Sequence, residues 1–145
     1  MKSLKDVPLQ EITLRKYEEP SNLSGRELTK KFLLSIGLIQ PGESRDIVVD
    51  IFHTLILARN KKEHIDIPML SEKLKNKQGA SIPNINRQLR RLKNMKLIEK
   101  SNDGYRVTEF SSLQPVIDNY IVNYLINPAV DRIKQYAKHL DKLEN

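Results

Sequence analysis

The chain has 145 residues, of which 39% are hydrophobic and 30% charged, with a formal net charge of +7. That is the size of one globular domain with a helix or two added, and too little for two separate cores. It contains no cysteine, which excludes a disulfide framework, a thiolate metal site and a cysteine nucleophile and points to the reducing cytoplasm.

Residues 1 to 23 show no sustained periodicity and contain Pro8 and Pro20, so an extended arm is expected; no apolar run of signal-peptide length occurs there. Ser24 and Glu27 have the S-x-x-E spacing of a capping box, and Leu28, Phe32, Leu33 and Ile36 form one stripe, predicting a helix over about 25–36 that Gly37 ends. After the turn at Gln40-Pro41-Gly42, Ser44 is placed to cap a helix to about Asn60, with Ile47, Val48, Ile51, Phe52, Leu55 and Ile56 at helical spacing. Asp50 and His53 interrupt this most apolar stretch, so no membrane span is expected. A short strand is read at 64–67, then a helix opened by Pro68, with Met69, Leu70 and Leu74 inward and Gly79 at its end.

Ser81 starts the next helix, over 81–96, with Pro83 in the first turn and Ile85, Leu89, Leu92 and Met95 as its buried stripe. Two β-like runs at 97–100 and 105–108 flank Ser101-Asn102-Asp103-Gly104, a hairpin signal. Beyond Phe110, Ser112 and Pro115 open a long helical stretch interrupted at Asn127-Pro128. The fold class is therefore mainly α with a small β-hairpin, divided as 1–43 arm and helix, 44–110 central domain and 111–145 C-terminal helical segment.

The charge is confined. Residues 61–106 hold 12 Lys/Arg against 5 Asp/Glu, whereas residues 1–60 net +1 and residues 107–145 net −1. Opposite its apolar stripe, the helix of 81–96 presents Asn84, Asn86, Arg87, Gln88, Arg90, Arg91, Lys93 and Asn94, followed by Lys96, and no acid. A merely solvated helix mixes signs, because like charges at i,i+4 repel, so this face implies a polyanionic partner. Only Tyr105 is aromatic between 61 and 106, which disfavours stacking on single strands.

The elements of 44–108 and the run from Ser81 to Ile98 resemble winged helix-turn-helix regulators of the ArsR, MarR and PadR kind, in which a capping Ser precedes a V/I-x-x-x-L-x-x-L stripe; no subfamily is assigned. Tyr105-Arg106-Val107-Thr108-Glu109 is similar to the Y-R-L-T-E that finishes their wing, and Lys96 stands where they usually carry Gly. The resemblance implies sequence-specific binding of double-stranded DNA in transcription regulation. Asn86 and Arg87, with Asn84 secondary, are the expected base readers, since amides suit adenine and Arg suits guanine at about 1 to 3 kcal/mol each. Arg90, Arg91, Lys93 and Ser81 are assigned to phosphate, and Lys100 and Arg106 to the wing.

Ala129, Ile133, Tyr136, Leu140 and Leu143 step by 4, 3, 4 and 3, an a/d seam over two heptads, with Ile117, Ile121 and Tyr124 as an apolar stripe upstream. This predicts a coiled-coil homodimer, the alternative being a helix packed on its own domain. No cofactor or metal is expected, because His53, His64 and His139 lack ligand spacing. Gly37 to Ser44 nearly matches a phosphate-binding loop, but Glu43 occupies the lysine position and reverses the needed charge. No enzymatic constellation is found. The alternatives to a specific regulator are a non-specific architectural or replication and segregation DNA-binding protein, and a winged helix used for protein-protein interaction.

Overall fold

The computed structural model describes residues 4 to 144 and is mainly helical with one small antiparallel hairpin. Helices α1 (Gly25–Ser35), α2 (Ile47–Arg59), α3 (Ile67–Leu74) and α4 (Ile82–Asn94) precede strands β1 (Ile98–Ser101) and β2 (Gly104–Val107). A C-terminal helical stretch follows as α5 (Leu113–Val116), a π-helical segment (Ile117–Ile126) and α6 (Asn127–Leu140). No described helix is long and apolar enough to cross a membrane.

The most apolar helix, α2, is the centre of the core. Ile51, Phe52 and Leu55 are fully buried against Leu33 of α1, Leu89 and Leu92 of α4 and Val107 of β2. Burying one such side chain stabilises by about 1.5 to 3 kcal/mol, so this cluster holds the fold. Phe52 also stacks on Phe32 of α1 with centroids 5.9 Å apart.

Several local expectations shift. The capping box at Ser24 does not form: Gly25 adopts a left-handed φ of +57° and Ser24 makes no side-chain cap bond. Leu28 faces outward, and Thr29 lies inward, its hydroxyl 3.0 Å from His53 Nδ1. Helix α2 begins at Ile47 rather than after Ser44, because Asp46 turns its carboxylate to Arg26 and Lys30 at 2.9 and 3.2 Å. Asp66 caps α3 by accepting from Met69 N–H at 2.9 Å, and Met69 is exposed, not inward; α3 ends at Leu74, before Gly79.

The short strand read at 64–67 is a single bridge, in which Ile65 and Tyr105 exchange backbone hydrogen bonds of 2.9 and 2.8 Å. It makes β2 the middle strand and leaves β1 at the edge. Gly104 is required here, since a Cβ would lie 2.9 Å from the Ile65 carbonyl carbon and oxygen. The hairpin pairs Ile98 with Val107 and Ser101 with Gly104, so only Asn102 and Asp103 form its tip. Glu109 and Phe110, both at positive φ, then swing the chain into α5.

The C-terminal stretch is not interrupted at Asn127-Pro128. Both Ile126 and Asn127 keep right-handed helical angles, and Asn127 N–H donates to Val122 C=O, one residue beyond the α-helical partner. Widening the turn in this way accommodates Pro128, whose ring would otherwise clash with the carbonyl of residue 124. Gln10 Nε2 donates to that Tyr124 carbonyl at 3.2 Å, tying the N-terminal arm to this helix.

Lys96 ends α4 at φ +64°, with Lys96 N–H on Lys93 C=O at 2.9 Å and Leu97 N–H on Leu92 C=O at 3.3 Å. A side chain in that conformation costs about 1 kcal/mol relative to glycine. Lys96→Gly is expected to raise the stability measured by urea denaturation by about 1 kcal/mol; a lower midpoint would show that the lysine side chain makes a compensating contact.

A half-buried ion cluster joins α1 to α2. Arg26 Nε and Nη2 donate to the two Asp50 oxygens at 2.8 and 3.0 Å, and Lys77 Nζ lies 3.4 Å from Asp50 Oδ1. Burial alone would raise the Asp46 and Asp50 pKa values, but the Arg26 guanidinium outweighs it and holds both below the usual 3.8. The folded chain thus binds these protons more weakly than the unfolded chain. The resulting stability is fully present above about pH 4 and drains as pH falls through the depressed values. The stability gap between the wild type and Asp50→Asn should be widest near pH 7 and narrow toward pH 3; a pH-independent gap would exclude the carboxylate as its source.

Candidate nucleic-acid interface

Helix α4 is built to show one polar face. Ser81 accepts from Asn84 N–H at 3.4 Å as the N-cap, Pro83 occupies the first turn, and Ile85, Leu89 and Leu92 are wholly buried. Arg87, Arg90, Lys93 and Asn94 are exposed and Asn86 is half-buried; their spacing of three and four puts them on one outward stripe. No acid occurs in α4.

The rest of its polar side chains point inward or sideways. Gln88, read from the sequence as outward, is buried: its Nε2 donates to Asn84 Oδ1 at 3.1 Å and its Oε1 accepts from Arg91 Nη1 at 2.7 Å. Asn84 Nδ2 donates to the Gly79 carbonyl at 2.8 Å, and Arg87 Nη2 donates to Asn84 Oδ1 at 2.7 Å. Arg91 Nη2 donates to the Leu38 carbonyl at 2.6 Å, just beyond the end of α1. Asn84 and Arg91, candidates for base and phosphate contact, thus serve as struts that fix α4 against α1 and the loop before α4.

The hairpin offers fewer free cations than its sequence suggested. Arg106 is held by Glu99, its Nε donating at 2.6 Å, and its guanidinium lies 4.7 Å from the Phe110 ring centroid. That cation is neutralised, and the tip carries Asp103 instead of a base. Lys100 remains exposed, 5.7 Å over the Tyr105 ring. Between the end of α4, β1 and the C-terminal stretch lies an open cleft of about 570 Å³, with Lys93, Lys96 and Lys100 on its walls and Tyr120 opposite. The Glu109 carboxylate, which accepts from the Tyr120 hydroxyl at 3.3 Å, raises the pKa of that phenol. Lys96 and Tyr120 belong to this surface although neither was among the sequence candidates. Lys96 continues the basic run and was legible; Tyr120 arrives by tertiary folding alone.

The candidate dimer residues divide. Ile121 is buried in the chain's own core and Ile117 packs against it, so these two are corrected to core residues, because the π-helical segment folds back on the domain. Tyr124, Ile133, Tyr136, Leu140 and Leu143 are each more than 60% exposed, and α6 buries no residue at all. Among the described residues no group of three or more His, Asp or Glu is placed to hold a metal ion. Comparison of the chain with protein-family models, curated proteins and solved structures gave no match in any of the three.

Arg91 and Arg90 are neighbours with opposite duties, which thermal unfolding separates. Arg91→Ala leaves the Leu38 carbonyl and buried Gln88 without their charged donor, a loss of about 2 kcal/mol or about 4 to 8 °C in Tm. Arg90→Ala should stay within about 0.5 kcal/mol of the wild type. Equal effects would contradict the strut role.

Proposed function

We propose that the chain is a cytoplasmic, sequence-specific regulator of transcription that binds double-stranded DNA as a homodimer, with α4 in the major groove. The order α2, Ile65, α3, α4, β1, β2 is that of a winged helix-turn-helix and supports the reading. The observation that carries it is the acid-free outward stripe of Asn86, Arg87, Arg90 and Lys93 on a helix that Arg91 and Asn84 hold in place. A major groove about 12 Å wide admits one helix of about 10 to 12 Å diameter, and such a stripe then meets base edges and flanking phosphates together. Lys93, Lys96 and Lys100 extend the positive surface toward the hairpin, where Lys100 remains as the available wing cation once Arg106 is paired with Glu99.

Homodimerisation is assigned to Ile133, Tyr136, Leu140 and Leu143, whose 4-3 spacing continues along an exposed helix. Two copies related by a two-fold axis present two α4 helices to half-sites about 34 Å apart.

Binding of labelled duplex DNA, followed by fluorescence anisotropy between about 50 and 200 mM salt, tests the reading. The logarithm of affinity should fall linearly with the logarithm of salt, and Arg90→Ala and Lys93→Ala should each reduce the slope by about 0.9. Salt-insensitive binding, or slopes untouched in both variants, would refute it.

A further inference from the structure

Within the first two turns of α4, internal hydrogen bonds leave one carboxamide free to read a base. Asn84 and Gln88 bond to each other, to Gly79 and to arginines, so their amides are occupied. Asn86 makes no side-chain hydrogen bond among the described residues and lies on the outward stripe. One turn before it stands Ile82, the first residue of α4, an aliphatic side chain 51% exposed with Pro83 beside it. Residues at i and i+4 are adjacent on a helix face, about 5 to 6 Å apart at Cβ, which spans no more than two base steps of about 3.4 Å. The N-terminal turn that comes closest to base edges thus pairs an apolar branched side chain with an unoccupied carboxamide.

Building on the major-groove reading of α4, we propose that Ile82 determines specificity for thymine by packing on its C5-methyl group, while Asn86 bridges N6 and N7 of an adenine within two base steps. The methyl group marks thymine in the major groove, and an aliphatic surface is what recognises it; the carboxamide matches the donor and acceptor edge of adenine. The preferred duplex therefore has A·T pairs beneath the start of α4, with any guanine contact left to the Arg87 donors that Asn84 Oδ1 does not occupy. Ile82 is half exposed at the first helical position, so shortening it leaves the core intact.

Deoxyuridine differs from thymidine only by that methyl group, which makes the contact separable from every other. Duplexes are selected from a random library with the full chain, and each thymine of the selected site is then replaced singly by deoxyuridine. At one thymine in the half-site the wild type should lose about fourfold in affinity, the worth of one buried methyl group. In Ile82→Ala the difference between the two duplexes should shrink below about 1.5-fold, with the Tm and the salt slope retained. The proposal is overturned if no single replacement weakens the wild type, or if Ile82→Ala keeps the full preference for thymidine. If binding still shows the Arg90-dependent salt slope in either case, only the thymine contact falls. If no duplex is enriched, the major-groove reading falls with it.

Discussion

Arg91 reaches from the third turn of α4 to the carbonyl of Leu38, and the position of the whole outward stripe depends on that hydrogen bond. An α-helix with an apolar stripe of only Ile85, Leu89 and Leu92 can rotate slightly on its core without losing much burial, because hydrophobic contact is not directional. Directional bonds remove that freedom. Arg91 fixes the side of α4 facing α1, and Asn84, bonded to Gly79 C=O, fixes its beginning. Gln88 lies between the two and closes the chain of donors and acceptors, so each buried polar group has a partner. The same turn after α1 receives Arg15 from the N-terminal arm, whose Nη1 donates to Leu34 C=O at 2.8 Å and to Ile39 C=O at 3.2 Å. Two arginines from distant parts of the chain thus bond to carbonyls at and just beyond the end of α1, and the arm becomes part of the support for α4.

Three helices end in the same geometry. Leu38 N–H to Leu33 C=O closes α1, Glu63 N–H to Ala58 C=O closes α2 and Leu97 N–H to Leu92 C=O closes α4, with a left-handed residue just before each donor. That residue is Gly37 in the first and lysine, Lys62 or Lys96, in the other two. At Gly37 there is no choice, since a Cβ would stand 2.6 Å from Thr13 Cβ. The two lysine positions are open to solvent, so their only penalty is backbone strain, and Lys96 returns a cation to the lysine-walled cleft.

The fold class was largely legible in the sequence because helical spacing over 47–59 and 82–94 is regular and the Asn102-Asp103-Gly104 signal is local. What was not legible depended on which of several polar partners wins. Ser24 and Ser44 looked like caps, but Gly25 turned one away from its helix and the Arg26 to Asp46 pair occupied the start of α2. On α4, the period alone put Gln88 and Arg91 outside, as the edges of a three-residue stripe; a buried acceptor 53 positions earlier drew Arg91 inward and Gln88 with it. Arg106 looked available until folding set Glu99 opposite it in the hairpin register. Periodicity locates a face, and long-range hydrogen bonds decide its margins.

The C-terminal stretch shows how one residue can divide a stripe. Pro128 has no N–H for the carbonyl of residue 124, and the wider turns preceding it change the rotation per residue, so apolar positions before and after the proline no longer share a face. Ile117 and Ile121 pack in the core, whereas α6 buries no residue on any face, so Ile133, Leu140 and Leu143 are exposed because the helix leaves the domain. Gln10 fastens the carbonyl beside this change of register to the N-terminal arm. The arm, supported by Arg15 at the end of α1 and by Gln10 at Tyr124, bridges the strut of α4 and the base of α6. In a homodimer built on α6, the arm would be one bonded path from the seam to α4, beside the path from Tyr120 through Glu109 and Glu99 to β1, so the arm and the hairpin would both act on the spacing of the two α4 helices.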